Sequence, residues 1–157
     1  QNNIKVDDLV IISISTHGNK NSISNKLGLA PARQISGNEL RAIFSPLLLN
    51  QKIYIISSCY SGSLIKSLKS DKTIIITAAS QNRASFGCEE SSDNTWFVQA
   101  LKKSAYKFFD TNTRFSLIRW FAETKLILLK QEKKKDYIHS NPQIYIGDKI
   151  NYFFLKV

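Results

Sequence analysis

Three short apolar runs constrain this chain more than any other feature. Residues 9–14 read Leu-Val-Ile-Ile-Ser-Ile, residues 53–56 Ile-Tyr-Ile-Ile, and residues 73–77 Thr-Ile-Ile-Ile-Thr. Each has strand length, is rich in β-branched side chains and is bounded by polar residues, which predicts strands covered on both faces. Helical patterns lie between and after them. Ser36 followed by Glu39 has capping-box spacing ahead of Leu40, Ile43 and Phe44, with a stop near Ser45-Pro46. Leu64, Ile65 and Leu68 recur at helical spacing after the second run. Trp96, Phe97, Ala100, Leu101, Ala105 and Phe108 then mark an amphipathic helix over 96–109, and residues 116–134 read as another. Ile144-Tyr145-Ile146 before Gly147-Asp148 predicts a short strand, and residues 152–157 one more. The alternation βαβαβααβ is that of an α/β fold, a mostly parallel sheet between helical layers. The first run looks like a central strand, so strands upstream of Gln1, or a partner chain, are expected to cover its apolar edge.

At 157 residues the chain fits one domain, taken as 1–157 and expected to be incomplete at its N-terminal end. A hydrophobic content of 43% argues against global disorder. The net charge of +10 suits nucleic acid, anionic lipid or an acidic protein surface equally well. Much of the excess is scattered, and the densest cluster, Lys130 with Lys133, Lys134 and Lys135, reads as a solvated helix end where cations suit the dipole. Aromatic residues do not alternate with basic ones as a single-strand binding platform requires, so no specific nucleic-acid partner is expected. Cys59 and Cys88 form no CxxC or CxxH pair, which leaves neither a disulfide framework nor a structural zinc site. No apolar stretch is long enough to span a bilayer, and residues 1–15 lack signal-peptide order. A soluble chain is expected, with cytoplasmic and exported locations both open.

The loops after the first two strands carry reactive side chains. The first run ends at Ser15-Thr16-His17-Gly18, and the second at Ser57-Ser58-Cys59-Tyr60-Ser61-Gly62. In an open α/β sheet the carboxyl ends of parallel strands form the ligand crevice, so His17 and Cys59 are placed to face each other. A thiol attacks as thiolate, and a helix starting after Cys59 would favour the anion. His17 can serve as acid or base near neutrality. The N–H groups of Gly18 and Cys59 can point at a developing oxyanion. Together these are the parts of an acyl-transfer site. The plainer readings are a packed thiol and a turn histidine. The polar stretch after Gly18 towards Pro31 reads as a mobile flap. Cys88 reads as packed, His139 as a loop residue, and Asp7 and Asp8 as the end of a preceding helix or turn. Ser61 lacks the GxSxG context of a nucleophile.

Residues 12–18, residues 54–62 and Thr77-Ala78-Ala79-Ser80 continuing to Ser85-Phe86-Gly87-Cys88 resemble the legumain-like cysteine peptidases of clan CD, especially bacterial members. The similarity extends to Trp96-Phe97 and to residues 142–147, most of the chain. It implies the caspase-hemoglobinase fold, a three-layer sandwich, apparently without its first strand and helix. It also implies His17 and Cys59 as a catalytic dyad and an oxyanion site at the N–H groups of Gly18 and Cys59. Ser58, Ala79, Ser80 and Arg83 would contact substrate. The resemblance further implies hydrolysis of a peptide or protein substrate through a thioester, with no metal or organic cofactor. Eukaryotic legumains carry acids where this chain has Arg83 and Thr95, so their asparagine preference does not transfer directly. An arginine there suits an acidic residue at the cleavage position; Arg83 in solvent would leave the choice between acid and asparagine open. Two alternatives stand beside the endopeptidase: a transpeptidase or transamidase of the same fold, and an inactive relative acting as a basic binding module. A nucleic-acid-binding α/β domain ranks third.

Overall fold

A computed structural model describes residues 4–25, 33–87, 94–110 and 115–150. Along the chain, β1 (Leu9–Ser15), β2 (His17–Asn19), β3 (Ser22–Asn25) and β4 (Arg33–Ser36) precede α1 (Gly37–Ile43). Next come β5 (Gln51–Ser57), α2 (Ile65–Leu68) and β6 (Thr73–Thr77), followed by α3 (Trp96–Asp110), α4 (Leu117–Lys134) and β7 (Gln143–Ile146).

The apolar runs pair with one another in the order β1-β5-β6-β7, the first three parallel and β7 antiparallel to β6. Side chains alternate across a strand, so paired residues share a face. On one face Ile53, Ile74 and Ile76 pack with Phe97, Leu101, Leu117, Phe121 and Leu128 under α3 and α4. On the other, Tyr54, Ile56 and Ile75 pack with Leu40, Leu64 and Leu68 under α1 and α2. Ile56, Ile74, Ile75 and Ile76 are wholly out of solvent, each worth about 1.5–3 kcal/mol of transfer free energy. That covering of both faces is why the central strands read as unbroken apolar runs.

Several expectations change in the structure. β1 is not covered on both faces: Ile11 is 62% exposed, and among the described residues β1 lies at the sheet edge, the open apolar edge expected of it. Asn50 secures the turn before it, its amide Nδ2 donating to the carbonyls of Lys5, Val6 and Asp8. The stretch expected as a flap folds into a second sheet, β2-β3-β4, antiparallel throughout. Its residues 26–32 lie outside the described residues, as do Cys88 and residues 152–157. The helix expected after Cys59 is short: a 3₁₀ turn, Ser61–Leu64, runs into the four residues of α2. The predicted capping box at Ser36 and Glu39 is formed. Ser116 caps α4, whose last turn carries Lys133 and Lys134.

Candidate active site

The register of β1 on β5 pairs Ser15 with Ser57, so the two strands end side by side. Thr16 extends that pairing by one residue, its N–H donating to the Ser57 carbonyl at 3.1 Å. Its hydroxyl turns the other way and donates to the Ser24 carbonyl at 2.5 Å. His17 then begins β2, paired with Ser24, and its side chain is exposed. The histidine backbone is thereby held by the main sheet on one side and by the small sheet on the other.

Gly18 joins the two strand ends directly. A Cβ built there would lie 2.3 Å from the Cys59 carbonyl oxygen and 2.8 Å from the Ser58 hydroxyl, so only glycine admits this approach. Cys59 follows β5, half-buried, and Tyr60 turns the chain in the left-handed region at φ 56°. Three amides after Cys59 are taken: Tyr60 N–H donates to Arg83, Gly62 N–H to Ala79 and Ser63 N–H to Tyr60. The Cys59 sulfur meets the loop after β6. Ser85 N–H donates to Sγ at 3.3 Å, the thiol donates to the Ser85 carbonyl at 3.4 Å, and the Ser85 hydroxyl lies 3.9 Å away. Among the described residues, the hydrogen-bond partners of the sulfur thus all come from one, Ser85. Nothing in residue type announces that role for Ser85.

The expected substrate-binding residues fall into two groups. Ser58 and Ala79 are buried at 1% and 0%, so neither side chain presents itself to an incoming peptide. Ala79 is instead an anchor: its N–H donates to the Ser61 hydroxyl and its carbonyl accepts from Gly62. Ser58 lies beneath Gly18 with a hydroxyl that finds no partner among the described residues. Ser80 is half-buried and Arg83 exposed. Arg83 lines an open cleft of about 390 Å³ with Asn82, Phe86, Asp136, Tyr137 and Ile138. At the end of β5, the hydroxyls of Ser57 and Thr95 bond at 2.7 Å in a buried, uncharged pair. No group of three or more potential metal ligands occurs among the described residues.

The model of the Peptidase C13 family matches residues 3–150. The chain belongs to the Peptidase C13 family. This is the legumain family of clan CD cysteine peptidases. The C13 chain is also similar to the crystal structure of caspase-1 from Spodoptera frugiperda, with a TM-score of 0.59 at 15% identity, over 88% of this chain and 60% of that one. A pro-sf-caspase-1 structure gives a TM-score of 0.55 at 16% identity, over 88% and 61%. At such identities the likeness shows the fold, which is caspase-like with a mostly parallel sheet. The C13 chain spans about 60% of the length of these solved relatives. Comparison with curated protein sequences finds no match. Among the described residues no helix is long and apolar enough to cross a membrane.

Proposed function

We propose that the chain is a cysteine endopeptidase in which Cys59 is the nucleophile and His17 the acid/base. The observation that carries this reading is the contact of Gly18 with the Cys59 main chain at the flush ends of two parallel strands. In the proposed cycle Cys59 Sγ attacks the scissile carbonyl carbon and its proton passes to His17. His17 then protonates the leaving amine as the C–N bond breaks. Water, deprotonated by the same imidazole, attacks the thioester; the acid product leaves and the thiol is restored. The N–H groups of Gly18 and Cys59 would receive the oxyanion. The Sγ hydrogen bonds to Ser85 are those of the resting thiol, and hydrogen bonds in a site without substrate commonly differ from those of the loaded enzyme. Arg83, exposed and lining its open cleft, carries a guanidinium that can offer a two-point contact to a carboxylate, and its exposure leaves acid and asparagine both open at the cleavage position.

The test is labelling by a peptidyl electrophile selective for thiolates, followed by mass spectrometry. Modification at Cys59 that falls about 10²-fold or more in His17→Ala supports the dyad; equal labelling of Cys59 and Cys88, indifferent to His17, overturns it. Peptides differing only in Asp, Asn, Lys or Arg at the cleavage position read the role of Arg83, and preference for Lys or Arg would refute it.

A further inference from the structure

Glu132 is a charged residue type with no solvent contact, at 0% exposure in the last turns of α4. Burying a carboxylate is expensive unless its oxygens are paired, and such pairs set geometry more dependably than they add stability. The partners of its carboxylate, and two donors to its main-chain carbonyl, lie in the segment that returns the chain to β7. Its Oε2 contacts His139 Nδ1 and accepts from Ser140 N–H at 3.2 Å, while Oε1 is buried with no hydrogen-bond partner among the described residues. Its main-chain carbonyl accepts from the N–H groups of Lys135 at 3.1 Å and Tyr137 at 3.0 Å. One residue therefore organises the path from 135 to 140, a path that turns through the left-handed region at Asp136, φ 56°.

That segment grips the loop after β6 at two points. Ser140 offers its carbonyl to Ser80 N–H at 2.9 Å. Tyr137 stacks on Phe86 with ring centroids 4.5 Å apart, and on Trp96 at 5.5 Å. Between those two grips the same loop holds the nucleophile: Arg83 accepts from Tyr60 N–H at 2.8 Å, and Ser85 N–H donates to the Cys59 sulfur. An unbroken series of short contacts thus runs from the Glu132 carboxylate through 137–140 and 80–86 to Sγ.

We propose that Glu132, with His139, is a positioning residue for the loop that holds the Cys59 sulfur. The inference builds on the reading of Cys59 as nucleophile, but its structural half stands without it. Glu132 touches neither substrate nor sulfur; it fixes Ser140 and Tyr137, and these fix residues 80–86. Removing the carboxylate leaves Ser140 N–H and the imidazole without their acceptor and loosens the loop at the Ser140 grip, while the main-chain bond to Tyr137 N–H stays.

The experiment compares Glu132→Ala, Glu132→Gln and His139→Ala with the unmodified chain, by amide hydrogen exchange and by peptide cleavage. Expected in Glu132→Ala is exchange at Ser80 and Ser85 faster by about tenfold or more, beyond any change at Ile75 in the sheet centre, with kcat/KM lower by a similar factor. Glu132→Gln, which keeps an acceptor for Ser140, should stay within about threefold of the original on both readouts. A purely structural role would speed exchange at Ser80, Ser85 and Ile75 alike, and that uniform change, or none, overturns the proposal. Should Glu132→Ala fail to fold, His139→Ala decides by the same comparison. If even the unmodified chain cleaves no peptide, the peptidase reading fails, while the exchange pattern still rules on Glu132.

Discussion

Replacing Gly18 by alanine tests whether the close approach of the two strand ends is what assembles the site. The new methyl carbon would sit 2.3 Å from the Cys59 carbonyl oxygen, against an ordinary contact of 3.4 Å or more, so one backbone must retreat by about 1 Å. The Ser58 side chain, at 2.8–2.9 Å, is a second obstacle, and it is buried with little room to turn. Overpacking of this kind costs about 1–3 kcal/mol. For a domain of this size each kcal/mol lowers Tm by about 2–4 °C, so differential scanning calorimetry should show a drop of about 2–12 °C. The catalytic effect should be larger than the loss of stability suggests. A displacement near 1 Å between nucleophile and acid/base costs about 10²-fold in rate, measured as kcat/KM on a cleaved peptide at a temperature where the variant is fully folded. Wild-type Tm together with wild-type cleavage would show that the contact between Gly18 and Cys59 is slack, and the reasoning that places His17 beside Cys59 would fail.

Two further predictions concern the frame of the site. Tyr54 lies 2% exposed in the core, and burial pushes its phenol up to about 12. Because the unfolded state ionises first, near pH 10, stability is fully present below that pH and falls as pH rises to about 12, by at most about 2.7 kcal/mol. Tyr54→Phe should flatten the decline of Tm between pH 10 and 12, and an unchanged decline would refute the assignment. Asn50→Ala removes the amide that holds three carbonyls of the turn before β1. It should cost about 1–3 kcal/mol, with faster hydrogen exchange confined to the start of β1; unchanged thermal unfolding would count against the clamp.

The central strands β5 and β6 could be read from the sequence because both of their faces are covered, which keeps their middles apolar. The capping box at Ser36 could be read for the opposite reason, being a local bond between side chain and backbone set by spacing alone. The small sheet escaped both signals. Its strands are polar and three or four residues long, and they are secured by main-chain pairing and by the Thr16 hydroxyl on Ser24. Only Ile23, paired with Ile35 and buried, hints at an inward face.

The same division runs through the candidate site. His17 and Cys59 announce themselves because reactive side chains at strand ends are a matter of residue type and position. Their surroundings do not, because these are made by main-chain groups that every residue carries: the Ser85 N–H and carbonyl at the sulfur, the Arg83 carbonyl on Tyr60 and the Ser140 carbonyl on Ser80. Glu132 lies between the two cases. Beside Lys133 and Lys134 it reads as one more solvated charge, yet Leu117, Phe121, Thr124, Leu128 and Glu132 recur at spacings of 4, 3, 4 and 4, the buried stripe of α4. An acid placed on the apolar stripe of a helix needs a partner from another element. In this fold the partner comes from the segment that also contacts the loop beside Cys59, which is the ground for the role proposed for Glu132.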